Sequence, residues 1–396
     1  VFNLAHVPAY IGLDSVTLAA IYDPDPGAAE RTRERYLTQM EQAAKERGVD
    51  PSHDAVTICG SAEELLAQVD MIDICAPVRW HAPYAALALE QGVHVMTEKP
   101  MARTWWEAQH VAKVAQASTA FFQLNDDNVF IPRYRTLRNI IESGMIGELQ
   151  TIWIARGSRS SGRSPWFWDP MESGGGCVMD YGTHAVTSTW FLVGYDKLPA
   201  QIRSIALQTR EPTRLIAGRY QQIAIDDDAL FKVRYVDPSN GDWVTVVSQV
   251  TWSWPELGAD GSDVRGYIEV QGSTGTVTGY VDEEGRDYLK VMHRSFGERQ
   301  IPVTTVLSER ESFQAEIDNF VKSVQAGVPS ILNATVGLGV MTVLDGIRLS
   351  ELRGRVSVRP EDVAAFSADV AGAAPGPWQG GDQVMTAFLP IYRQGT

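Results

Sequence analysis

Through the first third of the chain, short apolar blocks alternate with longer amphipathic stretches. Val16-Thr17-Leu18-Ala19-Ala20-Ile21-Tyr22 is rich in β-formers and closes on Asp23, where Pro24 and Pro26 end the strand and a charged helix follows to Gly48. A short strand is expected near 55–59, then a helix opened by Ser61 with Glu64 three residues on, the pattern of a capping box. Met71 to Val78 reads as a parallel strand covered on both faces, followed by a helix from Ala82 to Gln91 that Gly92 closes. Val93 to Thr97 is a further strand, Thr104 and Glu107 open a helix to about Ala117, and Thr119 to Leu124 is one more strand. This alternation predicts βαβ units and a parallel sheet, whose ligands lie at the carboxyl ends of its strands. Asp23, Pro77 and Lys99 all fall at such ends.

Beyond Asn125 the rhythm changes. A helix from Pro132 to Ser143 and a glycine-rich segment precede strand-like runs at 149–155, 202–207, 229–235, 244–252 and 267–270. Long connections with Gly, Asp and Pro turns separate them, which predicts a large open, mostly antiparallel sheet. Two helices return near the end: one carries Phe313, Ile317, Phe320, Val321 and Val324 on a stripe, and one runs from an Asn333 cap to Gly354 and is apolar nearly all round, as a helix between domains would be. The fold class read from this is α/β, with a dinucleotide-binding domain over 1–124, a substrate and oligomerisation domain over 125–370 and an extension over 371–396. The Ala/Gly/Pro-rich stretch from Ala371 to Gly381 reads as loose. The first residues look like the middle of a helix, so the first strand of the parallel sheet and its glycine loop are expected to precede Val1.

Composition narrows the partners. At 396 residues, with a formal net charge of -15 and a pI near 4.9, the chain lacks the positive field that nucleic acid or an anionic membrane needs. Three cysteines without C-x-x-C spacing read as buried thiols of a reducing compartment, hence a cytoplasmic protein without a zinc site or disulfide framework. The run Asp226-Asp227-Asp228 reads as a turn entering a strand, and no metal is expected.

Several residue groups can carry chemistry. Gly174-Gly175-Gly176 runs into a segment with Asp180 and His184 four apart, which a helix places on one face, so that the carboxylate could orient the imidazole as a proton-transfer unit. Asp23 stands where a dinucleotide fold holds an acid against the adenosine ribose and repels a 2′-phosphate, although no G-x-G-x-x-G occurs in this sequence. In Glu98-Lys99-Pro100 the proline fixes the backbone where the lysine points over the cleft, and a cationic ring beside that lysine would lower its pKa and let it exchange protons. Trp166, Trp168 and Asp169 offer the apolar faces and the carboxylate that a pyranose or polyol needs, and Trp252 and Trp254 alternate on one strand face; packing is the alternative for both sets.

Together these stretches resemble the Gfo/Idh/MocA oxidoreductases, NAD(P)-dependent dehydrogenases and reductases of sugars, polyols and related compounds. The matching residues are Asp73 to Pro77 with His81, Gly92 to Pro100, Gly174 to His184, and the closing helices Phe313 to Val324 and Val343 to Ile347. The resemblance implies a Rossmann domain followed by an α/β domain whose sheet mediates a homo-dimer or tetramer. It places Lys99, Asp180 and His184 in the catalytic set and Asp23, Pro77, His81, Glu98 and Lys99 at the cofactor, NAD in preference to NADP. Asn128, Trp166, Trp168 and Asp169 are the expected substrate contacts, although Asn125-Asp126-Asp127-Asn128 departs from the arginine that many relatives carry there. The expected reaction is hydride transfer between a nicotinamide and a secondary alcohol carbon of a sugar, polyol or glycoside. Two alternatives are glycoside cleavage through transient oxidation at C3 and a catalytically silent sugar sensor.

Overall fold

The computed structural model describes residues 2–48, 55–158, 164–254, 265–281, 287–303 and 309–392. Phe2–His6 leads into α1 (Val7–Ile11), and then strands and helices alternate: β1 (Ala20–Ile21), α2 (Pro26–Arg47), β2 (Thr57–Ile58), α3 (Ala62–Leu66), β3 (Met71–Ile74), α4 (His81–Glu90), β4 (His94–Glu98), α5 (Trp105–Ala117) and β5 (Phe122–Asn125). Local chemistry sets these boundaries. Asp25 caps α2 by accepting from Gly27 N, Pro26 supplies its first turn, and Gly48 ends it in the left-handed region at φ 69°. Ser61 and Thr104 cap α3 and α5 through Glu64 N and Glu107 N, as predicted. The reciprocal carboxylates reach one residue further back, to Gly60 N and Arg103 N.

The strands form two parallel pieces, β1–β2 and β3–β4–β5. Among the described residues no ladder joins β1 to β3, where a doubly wound sheet carries one more strand. His6 and Tyr10 instead reach across to Asp73 on β3.

The second half begins with α6 (Pro132–Glu142), β6 (Leu149–Gly157), α7 (Pro170–Ser173) and α8 (Cys177–Val193). There follow β7 (Leu198–Gln208), β8 (Thr213–Ile216), β9 (Arg219–Gln222), β10 (Asp228–Val236), β11 (Trp243–Thr251), β12 (Arg265–Gly272), β13 (Gly275–Val281), β14 (Asp287–His293) and β15 (Gly297–Pro302). Eight of these strands make one sheet in the order β15-β14-β13-β12-β6-β11-β10-β7, in which β6–β11 is the one parallel pairing. Alternation along β6, β11, β12 and β14 turns Ile152, Ile154, Val246, Ile268 and Leu289 inward. Helix α8 packs on β6, β10 and β11, while Trp153, Tyr267 and Met292 are exposed on the other face.

Helix α9 (Glu309–Ala326) returns to the first domain, where Ile317, Phe320 and Val321 pack with Tyr10, Ile21 and Met96. Helix α10 (Ala334–Leu352) is buried nearly all round between α5 and β7, as its pattern predicted, and Asn333 caps it. The expectation of a loose stretch from Ala371 onward is corrected: α11 (Pro360–Ala371) and α12 (Pro377–Phe388) are ordered helices, and Val384, Met385 and Phe388 are fully buried. Here the glycines serve packing, because a Cβ on Gly381 would stand 2.2 Å from Glu107 Oε1 and one on Gly380 would stand 2.4 Å from Trp106 Nε1. Among the described residues no helix is long and apolar enough to cross a membrane, and all three cysteines are free.

Candidate active site

The site lies where the parallel strands end against the first turns of α8. Lys99 follows β4 directly, Asp126 follows β5 directly, and α8 supplies Asp180 and His184. What holds α8 there is a set of buried contacts around the glycines. Gly174 and Gly175 have φ of 78° and 146°, and a Cβ on Gly174 would stand 2.9 Å from Arg103 Cα. Arg348 on α10 is fully buried; it donates to the carbonyls of Gly174 and Arg103 and pairs with Asp345, locking the glycine loop to the loop that follows Lys99. At the start of α8, Asp226 accepts from Gly176 N at 2.9 Å and Val178 N at 2.8 Å. The acidic run is therefore an anchor: Asp226 caps α8, and Asp227 accepts from Arg214 at 2.7 Å and Ser253 at 2.8 Å.

Lys99 Nζ donates to Asp180 Oδ1 and, at 3.4 Å, to the Asp180 carbonyl. Trp252 Nε1 donates to the other carboxylate oxygen at 3.0 Å. Burial alone would push both groups toward neutrality, but each holds the other's charge, so the Lys99 ammonium titrates above its ordinary range and the Asp180 carboxyl below it. The expected downward shift of Lys99 is thus reversed: the nearest partner is a carboxylate, not a cationic ring. With Asp180 spent on Lys99 and Trp252, the expectation that it orients His184 is corrected as well.

The partner of His184 is Asp126, whose Oδ1 lies 2.8 Å from Nδ1. Burial would raise the Asp126 carboxyl; His184, Asn128 and Arg156 override it and hold Asp126 well below the usual carboxylate range. Both groups that meet the ring, Asp126 and Asn128, do so at Nδ1, which leaves Nε2 for another partner. Asn128 Nδ2 stands 2.5 Å from His184 Nδ1 and 3.0 Å from Asp126 Oδ1, while its Oδ1 accepts from Arg156 Nη1 at 2.5 Å. Asp126 and Arg156 escaped the sequence reading. The strand-end rule that picked out Asp23, Pro77 and Lys99 also covers Asp126, one residue after β5.

The remaining expected residues divide. Asp23 is at the end of β1, and its Oδ1 accepts from Asp25 N at 2.8 Å. His81 does not face a cleft: its ring nitrogens lie 2.8 Å from the carbonyls of Ala76 and Pro100, so it ties the loop carrying Pro77 to the loop after Lys99. Glu98 is also turned inward, with Oε1 2.9 Å from His6 Nε2. Asn128 is buried and occupied by its neighbours, which makes it a support of His184 in place of the expected substrate contact. Trp168 is buried edge-on against Trp252 at 5.5 Å, behind Asp180, because the four-residue turn 165–168 folds it into the core. Trp166, half-buried and stacked on Phe167 at 4.0 Å, keeps an accessible edge, and exposed Asp169 caps α7 through Met171 N.

Chemically the set suits a dinucleotide and an alcohol. Strand ends on one edge of the sheet offer an acid for a ribose diol at Asp23, a rigid turn at Pro77 and a cation at Lys99, and beside Lys99 stands an imidazole backed by a carboxylate. The sequence has no glycine loop for a diphosphate.

Comparison with known proteins agrees with the two-part fold. Residues 2–125 match the family model described as "Oxidoreductase family, NAD-binding Rossmann fold", and residues 134–278 match "GFO/IDH/MocA C-terminal domain". The chain is 29% identical to D-glucoside 3-dehydrogenase of Escherichia coli (strain K12) over 133 residues, 33% of this chain and 38% of that protein. It is 23% identical to inositol 2-dehydrogenase of Rhizobium meliloti (strain 1021) over 342 residues, 86% of this chain and 91% of that one. Its fold matches levoglucosan dehydrogenase, solved in complex with NADH and levoglucosan, with a TM-score of 0.71 at 20% identity, covering 89% of this chain and 95% of the other. With both halves matched in order by these family models, the chain belongs to the GFO/IDH/MocA family of NAD-binding oxidoreductases.

Proposed function

We propose that this protein transfers a hydride reversibly between NAD and a secondary alcohol or ketone carbon of a sugar, polyol or glycoside. The observation that carries the reading is the coexistence, against the first turns of α8, of two separately paired groups: an ammonium held charged by Asp180 and an imidazole that Asp126 meets at Nδ1, leaving Nε2 available. Such a pair handles both ends of an alcohol's O–H chemistry. His184 accepts the hydroxyl proton during oxidation and returns it to the oxygen during reduction, while Lys99 polarises that oxygen in both directions. The nicotinamide supplies and accepts the hydride. Asp23 and Pro77 would hold the dinucleotide, with Asp23 favouring NAD because a carboxylate repels a 2′-phosphate. Trp166 and Asp169 would face the sugar.

Names of relatives support the substrate class: D-glucoside 3-dehydrogenase, inositol 2-dehydrogenase and levoglucosan dehydrogenase are named for a glycoside, a cyclitol and a sugar derivative. We propose a homo-oligomer through the exposed face of the eight-stranded sheet, where Trp153, Tyr267 and Met292 stand. Following reduced nicotinamide by absorbance against a panel of aldoses, polyols, glycosides and keto-sugars tests the reaction. Lys99→Ala should cut turnover by about 10²–10⁴-fold with cofactor affinity nearly intact; unchanged turnover refutes the assignment. Release of free sugar from a glycoside without net change in absorbance would replace it with the cleavage reaction.

A further inference from the structure

Behind the Lys99 loop lies a second cluster, on the interior side of β3 and β4, that the hydride chemistry does not use. His6 is fully buried, with Nδ1 2.6 Å from Asp73 Oδ2 and Nε2 2.9 Å from Glu98 Oε1. Tyr10 donates to Asp73 at 2.8 Å, and Asn125 Nδ2 is 3.5 Å from its other oxygen. Glu316 on α9 enters the same space. It is 0% exposed, and neither of its carboxylate oxygens has a hydrogen-bond partner. One ligand atom each from His6, Glu98 and Glu316 lies within 4.8 Å of the other two.

An unpartnered carboxylate at full burial is among the costliest arrangements a fold can hold. Glu98, Asp127 and Asp126 add negative charge around it, opposed by His6, and among the described residues no lysine or arginine pairs with Asp73, Glu98 or Glu316. A compact cation between the three side chains resolves both problems at once. We propose that His6 Nε2, Glu98 and Glu316 bind one divalent transition-metal ion, of which zinc is the best fit.

The donor set selects the class. An imidazole nitrogen with two carboxylate oxygens suits zinc, manganese or iron(II), whereas calcium and magnesium prefer oxygen alone. Asp73 completes the pattern from behind, because a ligating histidine donates its other N–H to a carboxylate, which fixes the tautomer and turns Nε2 inward. Ligand atoms within 4.8 Å of one another need to move by no more than about 1 Å to surround an ion at the ~2.0–2.2 Å typical of zinc. The alternative group of His6, Asp73 and Cys75 is less suited, because Asp73 Oδ2 already stands 2.6 Å from His6 Nδ1 and accepts from Tyr10, and the group has no unpartnered carboxylate to satisfy.

The site is independent of the proposed reaction, and its test needs no substrate. Tag-free full chain is treated with chelator, then titrated with zinc chloride, with magnesium and calcium as controls; bound metal is counted by elemental analysis and affinity read by chelator competition and thermal melting. The expected result is one zinc per chain and a raised Tm, with no response to magnesium or calcium. Glu316→Gln should lose the stoichiometric zinc and the zinc-dependent rise in Tm, while its chelator-treated form melts no lower than chelator-treated wild type, since the amide carries no charge to bury. Asp73→Asn, which alters only the group behind His6, should weaken binding about 10–100-fold. Absence of stoichiometric zinc, or zinc affinity unchanged in Glu316→Gln, overturns the proposal. Zinc kept by Glu316→Gln but lost by Asp126→Asn overturns it in favour of the Asp126, Asp127 and His184 group.

Discussion

Replacing Asp126 by Asn separates the assigned proton-handling pairs more sharply than any other single change. The substitution keeps the shape and leaves an amide oxygen that can still accept from His184 Nδ1, so it removes charge while preserving orientation. At 2.8 Å, a full charge pair in a medium of effective dielectric about 20 attracts with about 6 kcal/mol, which sets a ceiling on what the carboxylate contributes when the ring takes a proton. Nearby Arg156, which opposes a charged ring, reduces that figure. Asp126→Asn should therefore lower kcat for alcohol oxidation by about 10–1,000-fold, short of the ~10⁴ that losing a general base altogether can cost. The assay is steady-state oxidation together with binding of the reduced cofactor by fluorescence. A kcat within about threefold of wild type, or a defect confined to cofactor affinity, would refute the pairing of Asp126 with His184.

The other expectations follow from the same contacts. Asp180→Asn should leave Lys99 without its counter-ion, and the sign of its pH dependence is fixed: the stability due to the raised Lys99 is complete below its unfolded pKa of about 10.4 and lost as pH rises through the higher folded value. Chemical denaturation should thus show the wild-type advantage over Asp180→Asn shrinking above about pH 10.4; an advantage that grows there contradicts it. At the acid end, the stability due to the depressed Asp126 is present above about pH 3.9 and lost as pH falls through its lower folded value, so wild type should lose more stability than Asp126→Asn in that window. Gly176→Ala places a Cβ 1.7 Å from the Asp226 carbonyl and should cost about 3 kcal/mol or more, seen as reduced denaturation midpoint and poorly formed α8. Asp23→Ala should narrow the preference for NAD over NADP, read as the ratio of kcat/KM values; an unchanged ratio removes Asp23 from the ribose site.

Much of this molecule is legible in its sequence because the signals are local. Asp25, Ser61, Thr104 and Asn333 cap helices where their residue types say they should, and Asp23 and Lys99 follow the ends of β1 and β4 as the alternation predicts. The helical spacing of Asp180 and His184 is equally local, and both do reach the site. Their partners are not local. Asp180 meets Lys99 across 81 residues and Trp252 across 72, and His184 meets Asp126 across 58, so an i,i+4 spacing that suggested a mutual pair could not reveal that each has a stronger partner elsewhere. The C-terminal helices were misread for a related reason: glycine content signals flexibility in isolation, whereas Gly380 and Gly381 are small because Trp106 and Glu107 lie against them.

That rearrangement of partners bears on how one site serves both directions of a redox reaction. Had Asp180 and His184 paired with each other, the carboxylate would have supported only the base, and Lys99 would have stood unpaired in a buried site, where burial alone favours the neutral amine. With Asp180 on Lys99 and Asp126 on His184, each group has its own counter-charge, fixed by a different strand end and a different helix turn. The acid and the base thus each have a first partner of their own, with a weaker cross-influence of Asp126 on Lys99 and of His184 on Asp180, so a change to one carboxylate should leave most of the other pair's function in place. Double substitution at Asp126 and Asp180 tests this: losses in oxidation and reduction that multiply indicate separate units, whereas a double variant no worse than either single one would mean that all four groups act as one network.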